Sequence, residues 1–94
     1  MKNVNMFREQ VNRYLTEQVN TARREQRESL KSLASDCSVS VNTLKNLGTA
    51  KISTLHRVCT HFNIDTFKLL NEAAYHATQF TLQDDRQNPY QLIF

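Results

Sequence analysis

The sequence predicts an all-α fold of five helices, and three observations carry that expectation. Apolar residues recur at helical spacing over most of the chain. A residue of the capping type, Ser or Asp, stands just ahead of each apolar series after the first. The single glycine, Gly48, directly follows Leu47 and is placed to close a helix in the left-handed conformation.

Taken in order, Val11, Tyr14, Leu15, Val19 and Ala22 lie on one face and predict a long amphipathic first helix from Asn5 to Arg27. Its opposite face is polar and becomes strongly basic toward its end. Ser29 caps a second helix beginning at Leu30, whose inner face is Leu33, Ala34 and Cys37. Ser38-Val39-Ser40 forms a polar turn with one apolar residue able to plug the angle. Ser40 then caps a third helix from Val41, anchored by Leu44 and Leu47 and limited by Gly48 to about two turns. Residues 30–47 thus have the spacing of a helix-turn-helix. Two helices crossing at roughly 90 to 120° need a small side chain where the backbones meet, and Ala34 supplies it.

Ser53 precedes the fourth series, Leu55, Val58, Cys59 and Phe62, and Asp65 precedes the fifth, Phe67, Leu69 and Leu70. Beyond His76 the pattern changes. Phe80 and Leu82 alternate with polar residues, Asp84 to Pro89 is turn-rich, and Tyr90 to Phe94 is nearly all apolar, which predicts a β-like tail of strand, turn and strand. The expected division is a helical domain over 1–76 and a tail over 77–94.

Charge is distributed unevenly over the 94 residues, whose formal net charge is +3. Residues 1–51 hold nine Lys and Arg against five acids, and residues 52–94 hold three against four. The basic half contains the 30–47 motif, as attraction to phosphate would require. No apolar run approaches the roughly 20 residues of a membrane span, and the polar N-terminus does not read as a signal peptide, so no membrane partner and a cytoplasmic location are expected.

The segment Val19 to Leu70 resembles the lambda-repressor-like, Cro-type helix-turn-helix family. The resemblance covers a little over half the chain and rests on V-N-T-A-R-R-E-Q-R-E-S-L-K-S-L-A, S-D-C-S-V-S-V-N-T-L-K-N-L and I-S-T-L-H-R-V-C-T-H-F-N-I-D-T-F-K-L-L. Val19, Arg23, Leu33, Ala34 and Ser40 occupy the family's characteristic places. Ser38 stands where the family prefers glycine, and Gly48 where many members carry glutamate. The resemblance implies a sequence-specific transcription regulator of the phage or mobile-element type, a repressor that occupies an operator on double-stranded DNA as a homodimer.

In such a motif the second helix enters the major groove with its N-terminal side chains against base edges. That assigns base contacts to Ser40, Val41, Asn42, Thr43, Lys45, Asn46 and Thr49. Asn42 and Asn46 can pair with adenine, and Val41 can pack on a thymine methyl. The competing reading is that they are solvated polar residues on a short helix. Phosphate contacts fall to Ser29, Lys31 and Ser32 at a helix N-terminus, with Arg23, Arg24, Arg27 and Lys51 around it. The arginines equally suit an ordinary helix end, where basic groups complement the dipole.

Two surfaces are candidates for the dimer: the tail through Tyr90, Leu92, Ile93 and Phe94, which is favoured, and the first-helix residues Met6, Phe7, Val11 and Tyr14. For both, self-packing on the domain's own core is the alternative. A protein-binding role on the same fold, as in an antirepressor or antitoxin-like module engaging another regulatory protein, is the second functional expectation. A zinc site can be drawn from Cys37, His56, Cys59, His61 and His76, but there is no C-x-x-C pair and both cysteines continue apolar faces, so buried free thiols are the better reading. No metal, cofactor or catalytic constellation is expected; Asp84-Asp85 is explained by solvation in a turn.

Overall fold

Leu15 and Val19, one helical turn apart, are almost completely buried and make the first helix the spine of the molecule. The computed structural model describes residues 2–85, with side chains from 5 to 82. The elements are α1 (Lys2–Glu25), α2 (Leu30–Cys37), α3 (Val41–Lys45), a 3-10 turn (Leu47–Thr49), α4 (Ile52–His61) and α5 (Thr66–Asp85). The described residues are all-helical, with no strand among them.

One core gathers a face from every helix. Leu15 and Val19 of α1 meet Leu33, Ala34 and Cys37 of α2, Leu44 and Leu47 around α3, Leu55, Val58 and Cys59 of α4, Phe62 beyond it, and Leu69 and Ala73 of α5. Burying each Leu or Val fully contributes roughly 1.5 to 3 kcal/mol. α1 makes its most extensive contact along α5 and also supports the 3-10 turn, while α2 rests on α3 and α4. Val39 packs against this core from the turn between α2 and α3, as its position predicts.

Three helix ends close in the same way. Arg27, Ser38 and Asn63 all adopt left-handed backbone angles, with φ of 56°, 56° and 57°. After each, the next amide reaches back five residues: Glu28 to the Arg23 carbonyl at 3.0 Å, Val39 to Ala34 at 2.9 Å and Ile64 to Cys59 at 2.8 Å. This is the hydrogen-bond pattern that glycine usually permits without strain.

Several expectations need correction. Gly48 is not left-handed. It lies in the 3-10 turn against α1, where a Cβ would come within 2.6 Å of the Asn12 Cα, so close approach explains the glycine. The third helix ends at Lys45 rather than at Leu47, and the 3-10 turn carries Leu47 back into the core. α4 starts one residue before Ser53, and the Lys51 carbonyl, not a serine side chain, receives its first amides. Asp65 does act as expected, its Oδ1 accepting from the Lys68 amide at 3.1 Å.

The expected boundary at 76–77 falls inside α5, because Ala73 and Ala77 continue the buried stripe by one turn. Phe80 and Leu82 are therefore helical, and the alternation read there as a strand is overridden. The second predicted strand, with Tyr90, Leu92, Ile93 and Phe94, lies outside the described residues. Phe67 also departs from expectation: it is 72% exposed rather than continuing an inner face.

Candidate nucleic-acid interface

α2 and α3 are held by matched serine caps. Ser29 and Ser40 both adopt extended backbone, and their hydroxyls accept from the Ser32 and Thr43 amides at 3.0 and 3.1 Å. Substituting such a cap by alanine typically costs about 1 kcal/mol. Between the helices, Ala34 is buried and the Ser38 backbone turns left-handed to reverse the chain.

Arg57 of α4 fixes the turn from behind. Its Nη1 donates to the Cys37 carbonyl at 2.9 Å and to that of Ser38 at 3.5 Å, satisfying the open C-terminal end of α2. From α1, Asn12 Oδ1 accepts from the Gly48 amide at 2.7 Å, and Thr16 Oγ1 accepts from the Leu47 amide at 3.2 Å. The chain after α3 is thereby pinned to the spine. None of these three residues carries a sequence signal for that role, since each is a polar side chain whose partner is a backbone group far away in the chain.

The residues expected to touch bases divide once side-chain partners are counted. Asn42 and Lys45 are exposed on α3 and hold no side-chain hydrogen bond among the described residues. Asn46 is exposed but tethered, its Oδ1 accepting from Asn12 at 3.5 Å and its Nδ2 donating to the Asn42 carbonyl at 3.4 Å. Ser40 and Thr43 share a hydroxyl contact of 2.9 Å. Thr49 donates to the Asn46 carbonyl at 2.8 Å, and Val41 is half-buried against the core. Asn42 and Lys45 are therefore the side chains freest to read a partner.

The phosphate candidates divide likewise. Arg24, Arg27, Lys31 and Lys51 are exposed. Arg23 turns inward, its Nε donating to Asn20 at 3.0 Å and its Nη1 to the Glu28 carbonyl at 2.8 Å. It latches the end of α1 to the following loop. Ser29 is spent on its cap, and Ser32 donates to Glu28 Oε2 at 3.3 Å.

Glu28 itself was absent from the sequence expectations. Its carboxylate sits beside the N-terminus of α2 and pairs with His61 Nε2 of α4 at 2.8 Å. The hydrogen bond to His61 holds the Glu28 carboxyl below the usual range, outweighing the opposing effect of burial. Asp36 joins them, with one ligand-type atom from each of the three residues lying within 4.8 Å of one another. The earlier zinc candidates have other partners: His56 Nδ1 contacts Thr66 Oγ1 at 2.8 Å, and His76 stacks on Tyr14 at 4.5 Å. Cys37 and Cys59 are buried free thiols whose pKa values are raised chiefly by desolvation.

No family model, no curated protein and no solved structure matches this chain. No helix of the described residues is long and apolar enough to cross a membrane.

Proposed function

We propose that the protein is a lambda-repressor-like, helix-turn-helix DNA-binding regulator that reads an operator in the major groove with α3. One observation carries this reading: α3 is buried through Leu44, capped by Ser40 and presents Asn42 and Lys45 outward with unspent polar groups. A helix of five residues contributes little stability by itself, and its placement against α2 and against the 3-10 turn that α1 supports favours reading it as a presented element.

Arg24, Arg27, Lys31 and Lys51 supply the sequence-independent attraction to phosphate. Asn42 supplies the base-edge contact, a bidentate pair with adenine worth roughly 1 to 3 kcal/mol of discrimination. Occupation of an operator that overlaps a promoter would exclude polymerase, which makes repression the regulatory outcome. The experiment is selection of bound duplexes from a random pool, followed by binding of the enriched sequence to wild type and Asn42→Ala. The reading expects enrichment of a defined site and loss of preference at one base pair in the variant. Failure to enrich any duplex sinks it.

A further inference from the structure

Asn12 of α1 touches both the end of the reading helix and the turn that follows it. Its Oδ1 accepts from the Gly48 amide at 2.7 Å, and its Nδ2 donates to Asn46 Oδ1 at 3.5 Å. Asn46 Nδ2 in turn donates to the Asn42 carbonyl at 3.4 Å. Two side-chain amides are thus strung between two backbone groups.

The backbone ends give that series one direction. The Gly48 N–H can only donate, so the Asn12 atom facing it is oxygen and the atom left for Asn46 is nitrogen. That nitrogen can only donate, so Asn46 turns its oxygen toward α1 and its own nitrogen toward the Asn42 carbonyl, which can only accept. With either amide turned over, a donor faces a donor and an acceptor faces an acceptor. The main chain of Asn46 is fixed as well: its amide donates to the Thr43 carbonyl at 3.1 Å, and its carbonyl accepts from the Thr49 amide and hydroxyl at 3.1 and 2.8 Å.

We propose that Asn12 is a positioning residue for base recognition, fixing the order in which Asn46 presents its acceptor and its donor; this rests on the operator-binding reading of α3. Asn46 is exposed, and after its two internal bonds it keeps one lone pair and one N–H. Adenine N6 and N7 complement such a pair in one order and oppose it in the other. Asn12 acts on the base only through Asn46, from 34 residues away in the chain.

Asn12→Asp tests the relay with the least change of shape. It keeps the oxygen that serves Gly48 and replaces the N–H that serves Asn46 by a second oxygen, so the Asn46 amide should turn over. In isotope-labelled protein free of DNA, the Asn46 Nδ2 protons should show Overhauser contacts to Asn42 in wild type and to residue 12 in the variant, with helical circular dichroism unchanged. Contacts that stay the same in both overturn the proposal.

On selected duplexes, Asn46→Ala first identifies the base pair that Asn46 reads. At that pair Asn12→Asp should lose about fivefold or more in preference, the low end of what a good bidentate contact discriminates. In an Asn46→Ala background the same change should have no further effect on preference, which a merely structural role for Asn12 would not produce. No base pair sensitive to Asn46→Ala, or uniform weakening by Asn12→Asp with preference intact, overturns the proposal and leaves the operator reading standing. Failure to enrich any duplex counts against the operator reading, and the Overhauser contacts then decide alone whether Asn12 orders Asn46.

Discussion

Glu28 Oε1 lies 2.8 Å from Nε2 of His61, tying the loop between α1 and α2 to the last turn of α4. The Glu28 side chain is only 14% exposed, and the adjacent Arg23 guanidinium holds the backbone carbonyl of the same residue. One loop residue is therefore gripped at both its main chain and its side chain, immediately ahead of the proposed DNA-reading unit.

This pairing predicts acid sensitivity. The Glu28 carboxyl is more acidic in the fold than in the unfolded chain, mainly through His61. Its stabilising contribution is therefore present above the ordinary carboxylate range and is lost as pH falls through the lowered folded value. Thermal melts of wild type and Glu28→Gln should differ most near neutral pH and converge on acidification. A difference that persists unchanged into strong acid would refute the assignment.

Gly48→Ala should destabilise the protein by about 1 to 3 kcal/mol, the usual range for forcing extra volume into a packed contact. The added methyl meets Asn12 Cα and Cβ, both at 2.6 Å, and backbone on α1 cannot swing aside as a flexible side-chain tip would. Denaturant unfolding measures the change; a neutral result would mean that α1 and the 3-10 turn are not in contact.

Ser38→Gly should act in the opposite direction. Serine at φ 56° carries a left-handed penalty on the order of 1 kcal/mol that glycine relieves. An increase in the melting temperature is expected, with DNA binding retained, because the Ser38 side chain makes none of the cap contacts. A decrease would place a necessary interaction on its hydroxyl.

Arg23→Ala and Arg24→Ala should separate stability from binding. Losing Arg23 removes charge-assisted hydrogen bonds to Asn20 and the Glu28 carbonyl, at a cost of roughly 1.5 to 3 kcal/mol in unfolding free energy. Arg24 is exposed, so its loss should leave stability within about 0.5 kcal/mol and weaken DNA binding across all sequences. Equal behaviour of the two variants in both assays would contradict the division.

The core faces of the first four helices were legible from spacing because packing demands it: Leu15, Val19, Leu33, Cys37, Leu44 and Val58 are each nearly inaccessible. The serine caps at Ser29 and Ser40 were legible for a similarly local reason, a short polar side chain before an apolar series. The end of α5 was not, since Phe80 and Leu82 alternate like a strand while Ala73 and Ala77 quietly continue the helical stripe. Gly48 misled because a glycine needed for close approach looks the same in sequence as one needed for a turn. Glu28, Arg57 and Asn12 stayed hidden because their partners lie 33, 20 and 36 residues away, and no local pattern encodes such distances.

The salt dependence of binding to a selected duplex tests the central claim most directly. Arg24, Arg27, Lys31, Lys45 and Lys51 are the exposed cations around the proposed interface. If most of them meet phosphates, log K should fall linearly with log salt, with a slope of about −4 per copy, since each neutralised phosphate contributes about −0.9. Asn42→Ala should keep that slope and lose the preference for the selected site over a scrambled one. No binding to either duplex at low salt, or a sequence preference untouched by Asn42→Ala, would contradict the account.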